Sequence, residues 1–81
     1  MVREIEEIKE FILKNSKVDL TITKEDNGKS LLVNYNNEIL HIIVKENNCY
    51  KINFKKIGVD SEIYRFDNIR QVKNYFKNYN F

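Results

Sequence analysis

The chain has 81 residues, a net charge of +2, one cysteine, one histidine and no proline, which makes it a single domain over 1–81 that buries only about 60–65% of its unfolded surface. Cys49 and His41 are alone of their kind, which excludes an internal disulfide and an intrachain structural zinc site. The charged start MVREIEEIKE lacks the apolar core of a signal peptide, and the longest apolar run, Ile39–Val44 interrupted by His41, falls far short of the roughly 20 residues of a membrane span; the cytoplasm is the expected compartment and no membrane partner is expected.

Asparagine, isoleucine and lysine number twelve, eleven and eleven, and alanine is absent. That bias reads as the codon usage of an AT-rich genome. Charge is uneven along the chain: residues 1–26 carry five basic and seven acidic groups, while 65–81 carry four basic and one acidic. An acidic front and a basic back predict two differently charged faces.

In chain order, Val2 to Asn15 predicts an amphipathic helix. Val2, Ile5, Ile8 and Ile12 follow helical spacing, with Glu6, Glu7 and Glu10 opposite. At Val18 the period drops to two, so Val18, Leu20 and Ile22 mark a strand. Asn27-Gly28 predicts a type I′ hairpin, since that turn needs positive φ at both central residues. Leu31–Tyr35 is the return strand. Asn36-Asn37 offers a second tight turn because asparagine tolerates the left-handed region. Glu38–Lys45 is a third strand, with Leu40, Ile42 and Val44 assigned to the core face and Ile39, His41 and Ile43 to the other. After a turn at Asn47-Asn48, Tyr50, Ile52 and Phe54 alternate with Cys49, Lys51, Asn53 and Lys55 in a fourth strand. Ile57–Ser61 reads as a loop and Glu62–Phe66 as a short fifth strand. Asp67 caps a closing helix from about Asn68 to Tyr79.

The fold expectation is therefore α+β: an antiparallel meander of about five strands in the order α-β-β-β-β-β-α, with both terminal helices packed on one sheet face. The expected core comprises Ile5, Ile8, Ile12, Leu20, Ile22, Val33, Leu40, Ile42, Val44, Ile52, Phe54, Tyr64, Phe66, Ile69, Val72 and Phe76.

No motif carries catalysis. Cys49 opens a strand with no base or orienting group beside it. His41 reads first as a half-exposed or hydrogen-bonded sheet histidine; the alternative is a general base in a metal-independent ribonuclease, with Lys51, Lys55 and Tyr35 on the same sheet. Asp19, Glu38, Asp60 and Glu62 are scattered over four segments, so no metal site or metal-dependent nuclease is expected. With Gly28 and Gly58 thirty residues apart no phosphate-cradling loop exists, and no cofactor is expected.

Binding is the function class that remains. On the closing helix Arg70, Lys73 and Lys77 form a narrow basic stripe, which nucleic acid or the acidic first helix (Glu6, Glu10) can neutralise. Tyr75, Tyr79 and Phe81 exceed what one helix needs for its core stripe and have the composition of protein contact residues. The candidate partner-binding residues are thus Tyr75, Tyr79, Phe81, Arg70, Lys73 and Lys77. The expected function is a small non-enzymatic protein-binding module. Its small size and AT-rich bias suit a stoichiometric inhibitor of host machinery encoded by a phage or mobile element, anti-CRISPR proteins being one such class. The expected partner is a host or phage protein, with a homodimer as a further arrangement. The alternatives are a nucleic-acid-binding accessory protein using the basic helix, and a metal-independent ribonuclease toxin or its antitoxin or immunity partner.

Overall fold

A computed structural model describes residues 3–79. Its order is α1 (Arg3–Asn15), β1 (Thr21–Glu25), β2 (Ser30–Tyr35), β3 (Ile39–Lys45), β4 (Tyr50–Lys56), β5 (Val59–Phe66) and α2 (Ile69–Asn78). The strands form one antiparallel sheet in the order β1-β2-β3-β4-β5. Both helices lie on the same face, so the expected α+β meander is the observed one.

Turn chemistry explains the meander. At Asn27 and Gly28, φ is 56° and 83°, and the Lys29 amide donates to the Asp26 carbonyl at 3.1 Å. This is the type I′ turn that Asn-Gly favours, lengthened by Asp26, which is also left-handed at φ 53°. Asn36 and Asn37 repeat the arrangement at φ 55° and 58°, with the Glu38 amide donating to the Tyr35 carbonyl at 3.0 Å. The Asn37 amide also donates to Asn34 Oδ1 at 2.9 Å, the local side-chain bond that lets asparagine hold such turns.

The segment expected as a loop, Ile57–Ser61, is mostly strand. Lys56 pairs with Val59, so only Ile57 and Gly58 (φ 80°) turn the chain, and β5 begins at Val59. The pairing of Phe54 with Glu62 and of Lys56 with Val59 leaves Lys55 opposite both Asp60 and Ser61, a β-bulge near the sheet edge. The bulge breaks the alternation in β5, which is why the sequence pattern there resembles a loop. The closing helix is capped by Asn68 rather than Asp67: the Gln71 amide donates to Asn68 Oδ1 at 3.0 Å, and the Asp67 amide in turn donates to Gln71 Oε1 at 2.7 Å. The arrangement resembles a capping box, except that Gln71 reaches back to the amide of Asp67, the residue before the cap, rather than to that of Asn68 itself.

The core is Ile5, Ile8 and Ile12 of α1, Val72 and Phe76 of α2, and Leu31, Val33, Ile43, Tyr50 and Ile52 of the sheet. Phe11, Leu20, Ile22, Tyr64, Phe66, Ile69 and Tyr75 pack around it. Each fully buried isoleucine contributes about 1.5–3 kcal/mol. One expectation is reversed. Leu40, Ile42 and Val44 do not face the helices; His41 and Ile43, both fully buried, do. The cause is register. Ile43 stands opposite Leu31 and Ile52, and His41 opposite Val33 and Phe54. Directly paired residues share a face, so the apolar faces of β2 and β4 force odd-numbered residues of β3 inward. Leu31, absent from the expected core, is at its centre for the same reason.

Candidate functional site

The closing helix directs its aromatics inward. His41 on β3 is the hub. Its ring lies 4.8 Å from that of Tyr79, 5.0 Å from Phe54, 5.2 Å from Phe76 and 5.6 Å from Tyr75. His41 Nε2 and the Tyr75 hydroxyl are hydrogen-bonded at 2.9 Å. Tyr75 also stacks on Tyr79 and tilts against Tyr64 and Phe66. Burial strips the imidazolium of water and pushes the His41 pKa down to about 4, so the ring is neutral near pH 7. Burial likewise raises the Tyr75 and Tyr79 hydroxyls above the usual phenol range. The Tyr64 hydroxyl, exposed at the margin, donates to Glu62 and is raised by that bond.

The six residues singled out on the closing helix therefore separate. Tyr75 and Tyr79 are half-buried in the aromatic cluster. Lys73 pairs with Glu7 of α1 and lies 5.7 Å from the Phe11 ring. Its partner is Glu7, not Glu6 or Glu10; Glu6 accepts from Lys24 of β1 at 3.0 Å and Glu4 from Lys45 of β3 at 3.4 Å. Arg70 and Lys77 are exposed and make no ion pair among the described residues. Phe81 lies outside the described residues.

The chemical candidates separate too. His41 is wholly covered, which leaves no approach for a substrate to its ring. Cys49 is half-buried at the β3–β4 turn, outside the aromatic cluster. Among the described residues, no group of three His, Cys, Asp or Glu side chains is placed to hold a metal ion, and no helix is long and apolar enough to cross a membrane.

The reversal of β3 creates a second surface. Leu40, Ile42 and Val44 lie on the sheet face away from the helices. The pairing sets out its rows: Thr23, Leu32, Ile42, Asn53 and Ile63 run across the middle, with Ser30, Val44, Lys51 and Arg65 on one side and Thr21, Asn34, Leu40 and Lys55 on the other. The face is divided by strand. On β2 and β3 it is aliphatic, with Leu32, Leu40, Ile42 and Val44. On β4 and β5 it is basic, with Lys51, Lys55 and Arg65 around Ile63, which is 61% exposed. Arg65 pairs with the exposed Glu46, whereas Lys51 and Lys55 make no ion pair among the described residues. Asn53 sits at the junction, and its Oδ1 is enclosed without a hydrogen-bond partner. Every aromatic of the sheet points the other way or lies at an edge; the row residues of this face include none.

Comparison with known protein families, with characterised proteins and with solved structures finds no match to this chain.

The open face could have been located from the sequence by one further step. A hairpin at Asn47-Asn48 sets Lys45 opposite Tyr50. That pairing alone carries Ile43 and His41 to the face of Ile52 and Phe54, and leaves Leu40, Ile42 and Val44 outside.

Proposed function

We propose that this chain is a non-enzymatic protein-binding module whose contact surface is the open face of its sheet. The observation that carries this reading is the aliphatic patch of Leu32, Leu40, Ile42 and Val44 on a face that neither helix covers, in a chain that has already filled a complete core on the other face. Four aliphatic side chains, each half-buried by its neighbours, gathered on a sheet face that no helix covers mark a surface that gains by being covered. The closing helix supports the same conclusion by subtraction, since its tyrosines are occupied within the fold. Non-enzymatic action is favoured by the position of His41: the one histidine is held neutral beneath an aromatic cover, as a packing element would be. Stoichiometric inhibition of host machinery, in the manner of mobile-element proteins such as anti-CRISPRs, is the form of binding that the small size and AT-rich composition favour.

Nucleic acid is the second reading, carried by the unpaired Arg70 and Lys77 on α2. It is the weaker one, because Glu7 neutralises Lys73 between them and two cations supply little phosphate affinity. A photoreactive phenylalanine analogue placed at Ile42, and separately at Asn74 on the exposed side of α2, distinguishes the two in extracts of the source cell. The expected result is a crosslink from position 42 to one protein in a one-to-one product. Crosslinks from position 74 alone, or crosslinks to nucleic acid, overturn the proposal.

A further inference from the structure

We infer that the partner presents an acidic, amphipathic helix, laid along the open sheet face. The inference rests on that face being the contact surface, and it adds what the face is built to receive.

Three features of the face select this occupant. The first is charge. Lys51, Lys55 and Arg65 stand on β4 and β5; the acidic residues of the three cross-strand rows are Glu25, at the far corner on β1, and Asp60, at the bulge opposite Lys55, and neither makes an ion pair with Lys51 or Lys55. A second copy is less suited, because face-to-face packing would set Lys51 and Lys55 largely against one another or against aliphatic side chains, with only Glu25 and Asp60 at the margins of the face to meet them. An acidic partner meets them directly. The second is the division by strand. An aliphatic band on β2–β3 runs parallel to a basic band on β4–β5, so the complementary surface carries an apolar stripe beside an acidic one. A helix with an i, i+3, i+4, i+7 apolar stripe and Glu or Asp on one flank has that layout. The third is size. Strands of seven residues such as β3 and β4 extend for roughly 23 Å, the length of a helix of about 15 residues. The four strands from β2 to β5 span roughly 14 Å, enough to seat a helix about 10–12 Å across.

Single-stranded nucleic acid, which also seeks cations on a sheet, requires aromatic rings on which bases stack. The rings of Phe54, Tyr64 and Phe66 are turned to the helix side, and aliphatic groups occupy the open face. Asn53 adds a polar element at the line between the two bands: its unpartnered Oδ1 accepts a hydrogen bond once a side-chain rotation turns it towards a donor on the incoming helix.

Two synthetic helical peptides test this, sharing one leucine stripe and differing only in whether glutamate or lysine flanks it, together with a single-stranded oligonucleotide as a third probe. Each is titrated into the full chain, with backbone amide shifts read by NMR. The expected result is that the glutamate peptide alone moves amides of β2–β5, that the double variant Lys51→Glu, Lys55→Glu weakens it at least about tenfold, and that this variant instead takes the lysine peptide. Equal binding of both peptides, shifts confined to α1 and α2, preferential binding of the oligonucleotide, or no binding by any probe overturns the inference. Unchanged circular dichroism of the double variant shows that loss of binding is not loss of fold. A chain that crosslinks a protein through position 42 but ignores the glutamate peptide keeps the protein-binding reading and loses this one.

Discussion

At the residue scale, His41 shows how one buried polar group shapes behaviour. Among the described residues it is the one buried polar or charged residue, enclosed by Phe54, Tyr75, Phe76 and Tyr79 and bonded to Tyr75. Unfolded, its imidazole titrates near 6.5; folded, near 4. Between those values the unfolded chain binds a proton that the native chain does not. The stability is therefore fully present above about pH 6.5 and is lost as pH falls towards 4. The expected loss between about pH 7 and about pH 5 is roughly 2 kcal/mol. Urea unfolding at the two pH values measures it. The double variant His41→Phe, Tyr75→Phe, which removes both partners of the bond together, should flatten the slope in this window. A slope unchanged in the variant would place the proton elsewhere. Glu4, held low first by a bond from its own backbone amide and then by Lys45, and Glu6, held low by the bond from Lys24, act on the acid side: their contribution is lost only as pH falls below the usual glutamate range. The two effects therefore occupy different windows.

At the scale of elements, the central strand separates what periodicity reveals from what pairing decides. β3 is apolar on both sides, so alternation alone cannot choose its inner face; Leu40, Ile42 and Val44 form the cleaner aliphatic set and invite the wrong choice. Neighbouring strands choose instead, through the pairs Ile43–Ile52 and His41–Phe54. Ile43→Ala should cost about 2–5 kcal/mol by leaving a cavity in the core. Ile42→Ala, half-buried on the open face, should cost clearly less than Ile43→Ala. Chemical denaturation of both variants checks this, and equal losses would contradict the orientation of β3. The helices and turns were more legible. Ile5, Ile8 and Ile12 repeat at helical spacing and are buried as that spacing requires, while Asn-Gly and Asn-Asn supply left-handed φ where hairpins need it. Asn37 provides a direct test. Asn37→Gly should be near neutral, whereas Asn37→Ala should cost about 1–2 kcal/mol, because alanine has neither the freedom of glycine nor the tolerance of asparagine for the left-handed region at φ 58°. Thermal melts that rank the two variants the other way would rule out that account of the turn. The β5 start was less legible because a bulge interrupts its alternation. The candidate site was less legible still, because a helix's surplus aromatics and a second core cluster have the same composition until the sheet's register is known.

At the scale of the whole molecule, the question is whether its charges serve the fold or the open face. α1 is tied by ion pairs in three directions, to Lys24 on β1, Lys45 on β3 and Lys73 on α2, and all three pairs are partly exposed. Each is worth about 0–1 kcal/mol, less than the burial of any one of Ile5, Ile8 or Ile12 in the same helix. Apolar packing should therefore dominate the attachment of α1, with charge setting its orientation. Raising salt to about 0.5 M should screen these pairs and lower Tm by less than the single substitution Ile8→Ala does. The open face should respond differently. Lys51 and Lys55 have no partner among the described residues, and their attraction to an acidic ligand should fall with the same added salt by at least about tenfold in affinity. Measuring Tm and ligand affinity across one salt series separates the two roles. A fall in Tm larger than that caused by Ile8→Ala would mean that charge rather than the isoleucine stripe holds α1. An affinity insensitive to salt would mean that the aliphatic band binds by itself and that the basic band beside it contributes only solubility.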